Sequence, residues 1–134
     1  MYHRVTELPN DPHLVAVTPK HFCEQLEMIR KHYMPIRLQQ LVEALQDGKV
    51  PKRAIVVTFD DGYADNLHEA MPLLERYDIP ATVFVTAGVV GSQREFWWDE
   101  LDRLLLQPGM LPAKLRLNTA RKWLKSALFT PRKG

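Results

Sequence analysis

Cysteine is almost missing from this 134-residue chain, with Cys23 the single example. That excludes a disulfide within the chain, and a thiol among apolar helix positions reads as a small buried hydrophobe. No apolar run approaches the roughly 20 residues that a membrane-spanning helix needs. An excess of one charge is also missing: 18 Lys and Arg against 16 Asp and Glu leave a net charge of +2. So small a balance gives no argument for nucleic acid or a membrane surface. The basic residues that crowd the end (Lys114, Arg116, Arg121, Lys122, Lys125, Arg132 and Lys133) read as a solvated face, since no nucleic-acid motif accompanies them. No long apolar stretch follows Met1, Tyr2, His3, Arg4 and Val5, so there is no signal peptide pattern. The chain therefore reads as cytoplasmic, with export left open if residues precede Met1. Repeats and low-complexity stretches are absent too. What remains is ordinary globular material, 46% hydrophobic and 25% charged, enough for the core of one domain.

The first residues read as a strand. Thr18 followed by Pro19 is a helix start, with Thr as N-cap and Pro at the first helical position. Phe22, Leu26 and Ile29 continue that helix at helical spacing, and Met34-Pro35 stops it. Ile36 to Leu38 reads as a short extended piece. Leu38, Leu41, Val42 and Leu45 make a second amphipathic helix, with Gly48 as its C-cap glycine. Ala54, Ile55, Val56, Val57, Thr58 and Phe59 form a continuous β-branched and apolar run. Such a run predicts a strand buried on both faces, as in a parallel sheet. A helix over about residues 64–77 follows, with Pro72 expected to kink it or mark its true start. Residues 81–86 predict a second buried strand, which makes the middle β-α-β. Phe96, Trp97, Trp98, Asp99, Glu100 and Leu101 open a third helix through Leu106, and Pro108-Gly109 breaks it. Beyond that only a weak helical pattern shows, around Leu115, Leu117, Trp123, Leu124 and Leu128. The class is α/β. About three strands are legible, and so small a sheet leaves raw edges, as a piece of something larger does.

Chemistry concentrates in Thr58, Phe59, Asp60, Asp61 and Gly62, at the C-terminal end of the apolar strand, where α/β folds gather catalytic groups. Neighbouring strand residues point to opposite faces, so adjacent carboxylates serve one site only where the strand gives way to a turn. Gly62 permits that turn. Two close carboxylates repel, which raises the pKa of one unless a cation is present. A divalent metal could bind one and leave the other as proton acceptor. Taken alone, the same residues are equally a polar turn after a strand.

Thr58-Phe59-Asp60-Asp61-Gly62-Tyr63, with Asp65-Asn66, resembles the first signature motif of the polysaccharide deacetylases, the NodB homology domain of carbohydrate esterase family four type. Met1 to Val5, residues 79–85 and residues 96–101 resemble further segments of one branch of that family, so the likeness runs over residues 1–106. The resemblance implies the N-terminal part of a distorted (β/α) barrel, roughly its first three strands with intervening helices. It implies a hydrolase of carbon-nitrogen, non-peptide bonds that removes N-acetyl groups from amino sugars with a divalent metal, usually zinc. It assigns Asp60 as general base, Asp61 as metal ligand and the Tyr63 backbone N–H as oxyanion donor. The metal would lower the pKa of its water and polarise the carbonyl.

The family completes its metal site with two histidines from a His-Ser/Thr-x-x-x-His motif. No histidine follows His68, and none of His3, His13, His21, His32 or His68 precedes Ser or Thr. The general acid has no counterpart either. Metal binding by this chain alone is therefore not expected, and neither is activity. Of the histidines, His3 is the best candidate to face the site, while His68 reads as a solvent-facing helix residue and the others as structural or solvated. Trp97 and Trp98 suit a sugar-binding wall but fit interior packing better. Residues 107–134 read as a basic tail that departs from the family pattern, as a truncated or interrupted frame would. Three readings stand: a deacetylase half-domain inactive alone, an enzyme completed by a second chain, and a non-catalytic carbohydrate-binding or assembly module.

Overall fold

In the computed structural model, residues 1–92 and 94–106 are described in full, together with the backbone of two strands, Lys114–Thr119 and Lys122–Ala127. The chain divides into two compact units, Met1–Arg94 and Glu95–Gly134.

The first unit begins with β1 (Arg4–Val5), which pairs in parallel with β2 (Ala16–Val17). The β2 strand lies in a short apolar run, Leu14-Val15-Ala16-Val17, that the sequence reading assigned to no element. Asp11 fixes its pairing with β1: the Asp11 carboxylate accepts the backbone N–H groups of Val15 (3.1 Å) and Ala16 (2.9 Å), folding the intervening loop back along β1. Helix α1 (Pro19–His32) starts where expected, with the Thr18 hydroxyl accepting the His21 N–H, and buries Phe22, Leu26 and Ile29. Cys23 on the same helix is half-buried rather than fully enclosed. After α1 the chain makes β3 (Met34–Pro35), two residues earlier than the extended piece read from the sequence, and then α2 (Leu38–Gln46). Gly48 ends α2 as predicted, at φ +64°. Its N–H donates to the Leu45 carbonyl and that of Lys49 to Ala44, the paired bonds of a Schellman motif.

The predicted apolar strand forms in two pieces, β4 (Ala54–Ile55) beside β3 and β5 (Val57–Phe59) beside β6 (Ala81–Val83), all pairs parallel. On its opposite edge β5 meets the start of the chain through a parallel bridge between Tyr2 and Phe59. Val57 and Phe59 are buried, as expected. The expectation for residues 81–86 is corrected: the regular strand is three residues long, and Val83, Phe84 and Val85 are exposed. Burial on both faces needs a layer over each face and a further strand beside the edge, and the described residues supply neither to β6.

Between β5 and β6 lies a π-helical turn (Asn66–Ala70) followed by α3 (Met71–Arg76). The expected helix is thus present but changes pitch at Pro72. Proline has no N–H to give the carbonyl four residues back. The preceding turn is wide instead, with the Met71 N–H reaching the Asn66 carbonyl five residues back, and Pro72 sits in the first turn of α3 where no donor is needed. The core of the unit joins Val5, Phe22, Leu26, Ile29, Val57, Phe59, Ala70, Leu74 and Ile79. At its centre Tyr2, Phe22 and Phe59 meet, with ring centroids 5.1 to 6.0 Å apart.

The second unit holds α4 (Trp97–Leu101), which runs on as a π-helical turn over Asp102–Leu106. The rings of Phe96 and Trp98 stack at 4.6 Å. Trp97 is 67% exposed, so interior packing does not hold for it. The weak helical reading around residues 115–128 is corrected as well. The backbone forms an antiparallel pair, β7 (Lys114–Thr119) and β8 (Lys122–Ala127). The sequence Lys114-Leu115-Arg116-Leu117 alternates with period two, which is strand periodicity. The expected break at Pro108-Gly109 lies outside the described residues. No helix among the described residues is long and apolar enough to cross a membrane.

Candidate active site

The paired aspartates sit where β5 gives way to a turn. Phe59 ends the strand, and the Asp60 N–H still donates to the Tyr2 carbonyl (2.9 Å) across the edge with the first residues of the chain. The backbone then reverses. The Gly62 N–H donates to the Asp60 carbonyl (2.9 Å), closing a three-residue turn around Asp61 at φ +69°. Gly62 follows at φ +75°. Two successive residues in the left-handed region are uncommon, and aspartate is one of the few side chains that tolerate it. Glycine is needed at the second position for a further reason: a Cβ there would lie 3.2 Å from Cγ1 and 3.3 Å from Cα of Val85. On the β6 side, the Thr86 N–H approaches the Asp61 carbonyl at 3.4 Å.

Asp60 and Asp61 are both half-buried. The structure brings them to one turn beside the N-terminal strand, with His3 next to Asp60 across the parallel bridge. His3 is half-buried and lines a cleft of about 490 Å³ with Tyr2, Val15, Gln25 and Val57. A larger open groove of about 860 Å³ runs beside Phe59, Gly62, Tyr63, Leu67, Val83 and Val85. Neither of these two clefts is lined by Asp60 or Asp61. His68 is exposed on the π-helical turn, as the sequence suggested, and His13, His21 and His32 are exposed as well.

Three residues of the site went unassigned in the sequence. The Asp65 carboxylate accepts the Arg4 Nε–H (2.9 Å) on one oxygen and the Val5 N–H (3.1 Å) on the other. The Arg4 guanidinium lies 4.4 Å above the Tyr63 ring. Asn66, 7% exposed, turns its amide nitrogen to the His3 carbonyl (3.0 Å) and to Asp65 (3.3 Å). Asp65 and Asn66 belong to the motif, but nothing in their spacing pairs Asp65 with an arginine 61 positions earlier.

A divalent metal does not fit the donors on this chain. Among the described residues no three His, Cys, Asp or Glu side chains come together. Gln93 and residues 107–134 contain none of those types. A catalytic zinc takes three protein ligands, and Asp61 with its neighbour Asp60 falls short of that.

Comparison with known proteins finds similarity to polysaccharide deacetylases. The polysaccharide deacetylase family profile matches residues 47–110, a segment that contains the Asp60-Asp61-Gly62 turn. Over 78 residues the chain is 32% identical to a poly-beta-1,6-N-acetyl-D-glucosamine N-deacetylase of Staphylococcus epidermidis, covering 58% of this chain and 27% of that protein. The fold is similar to that of IcaB from Ammonifex degensii, with a TM-score of 0.61 and 33% identity over 70% of this chain and 40% of that one. It is also similar to the Streptococcus pyogenes deacetylase PplD, solved in complex with acetate, with a TM-score of 0.60 and 26% identity over 76% of this chain and 48% of that one. The chain thus spans less than half the length of each of these proteins. Its small parallel sheets and intervening helices correspond to part of a NodB-like α/β barrel.

Proposed function

We propose that this chain carries part of a polysaccharide deacetylase domain and holds the proton-accepting half of a site for N-deacetylation of a glucosamine-containing glycan. The observation that carries the reading is the Asp60-Asp61-Gly62 turn, held at φ +69° and +75° on the C-terminal end of β5. The left-handed backbone accounts for one aspartate and a glycine, at positions 61 and 62, but not for the second carboxylate at Asp60. Asp60 is the base: it takes a proton from water as the oxygen adds to the acetamide carbonyl carbon. The backbone N–H of Tyr63 helps hold the developing oxyanion. The C–N bond then breaks, leaving acetate and an amine that must itself gain a proton.

This chain has no group assigned to give that last proton, and its donors do not make a metal site. We therefore expect no turnover by these 134 residues alone, because the remaining ligands and the acid lie outside them. The partner of the site is an N-acetylated glycan. Acetate release from N-acetylglucosamine oligomers by the purified chain tests this, with zinc supplied and its stoichiometry measured by mass spectrometry. The expected result is no acetate above background and no equimolar zinc. Turnover that disappears in Asp61→Ala would overturn the expectation of inactivity. Glycan binding that survives Asp60→Asn and Asp61→Asn would favour a non-catalytic carbohydrate-binding role instead.

A further inference from the structure

We propose that Arg4, Asp65 and Asn66 form a positioning latch that holds the Asp60–Asp61 turn in its left-handed conformation, an inference that rests on reading this turn as the reactive one. Residues in sparsely populated backbone regions cost on the order of 1–3 kcal/mol each and persist only where the surroundings over-determine them. The direct bonds on the turn do little of this. The Thr86 contact to Asp61 is long, at 3.4 Å, and the Gly62 bond to Asp60 is internal to the turn.

The constraint comes from the flanks. Before the turn, Tyr2 is tied to both Thr58 and Asp60, by its N–H (2.8 Å) and its carbonyl (2.9 Å). After the turn, the residues that follow Tyr2 are tied one by one. The His3 carbonyl takes the Asn66 amide, the Arg4 side chain takes Asp65 and covers Tyr63, and the Val5 N–H takes the second Asp65 oxygen. Residues 60 and 65 are thus clamped to the short segment from Tyr2 to Val5, with the turn closed between them. The Asp65 side chain is only 10% exposed and that of Arg4 24%, so this ion pair escapes most of the solvent screening that weakens surface pairs. A carboxylate that satisfies a backbone N–H and a guanidinium together is a rigid support, as side chains behind a working site need to be.

A latch and a merely stabilising ion pair differ in what their loss disturbs. Amide hydrogen exchange by NMR on the full chain, without substrate, reads the Gly62 N–H of the turn against the Ile79 N–H, which donates to the Leu74 carbonyl in the core. In Asp65→Asn and in Arg4→Gln the protection of Gly62 should fall about ten-fold relative to Ile79, the size of one charge-assisted hydrogen bond. The three-bond H–N–Cα–H coupling of Asp61 should shift with it. Arg4→Lys, which keeps the charge without the Nε geometry, should restore little. Arg30→Gln, which removes the exposed contact with Asp78, should leave the ratio alone. Parallel loss of protection at both amides, or a ratio within about two-fold of wild type in both variants, overturns the proposal. So does loss of the fold in all the Arg4 and Asp65 variants, because a positioning role leaves the core of Phe22, Leu26 and Phe59 standing. Glycan binding that survives Asp60→Asn and Asp61→Asn would count against the hydrolase reading and leave this exchange result intact.

Discussion

Gly62 and Val85 face each other so closely that a single methyl group added to the glycine would lie 3.2 Å from the valine Cγ1. This contact brings the end of β6 against the aspartate turn, and it makes position 62 intolerant of a side chain for two separate reasons, space and a φ of +75°. Gly62→Ala should lower the unfolding free energy by roughly 1–3 kcal/mol, measured by urea denaturation. Combining it with Val85→Ala should recover the steric share and leave the backbone share. Full recovery in the double variant would mean that the left-handed conformation costs nothing.

Asp61 occupies the same backbone region, and the response of that position should depend on side-chain shape. Asp61→Asn should leave stability within about 0.5 kcal/mol of wild type, since asparagine tolerates the left-handed region well. Asp61→Val should cost about 1–2 kcal/mol, because a β-branched side chain crowds its own carbonyl there. Equal urea midpoints for the two variants would show that the turn relaxes to another conformation.

Phe59 joins the core to the site: its ring packs on Tyr2 and Phe22, and its residue is the last before the aspartates. It is fully buried. Phe59→Ala should therefore destabilise the chain by about 3–5 kcal/mol through lost burial and the cavity left behind. A change under about 1 kcal/mol in the denaturation midpoint analysis would mean that the core collapses around the gap without penalty.

Tyr2 donates its hydroxyl proton to Gln25 Oε1 at 2.6 Å, and burial raises its pKa above the ordinary 10.0. A raised folded-state pKa means that the folded chain holds its proton longer than the unfolded chain does. The stability this represents is complete below pH 10.0 and is lost as the pH rises through the folded value. Denaturation midpoints taken between pH 9 and pH 11 should fall with pH, and the fall should be shallower in Tyr2→Phe. An identical slope in the two proteins would exclude Tyr2 as a contributor.

Legibility differed from element to element. The start of α1 at Thr18-Pro19 and the end of α2 at Gly48 were readable because each rests on a local bond or a local φ. The apolar strand ending in Asp60-Asp61-Gly62 was readable because its composition and its motif lie in consecutive residues. The β2 strand was not, because its apolar run, Leu14-Val15-Ala16-Val17, is short and its pairing with β1 is fixed by the Asp11 carboxylate. Exposure of Val83, Phe84 and Val85 could not be read from their apolar character, since hydrophobicity states what a residue would bury and not whether a partner layer is there. In the site, the aspartate pair was visible in the sequence and its supports were not.

By itself, then, the sequence determined the α/β character of the chain, the cap residues of α1 and α2 at Thr18 and Gly48, and the likeness of its first motif to that of the polysaccharide deacetylases. Each of these depends on residue identity or on neighbours within a few positions. Tertiary structure alone decided that Tyr2 adjoins Asp60, that Arg4 finds Asp65 across 61 positions and that Val85 crowds Gly62. Such contacts follow from how parallel strands align around a shared core of Val5, Phe22 and Phe59, and a parallel pairing brings together residues whose separation along the chain carries no local signal.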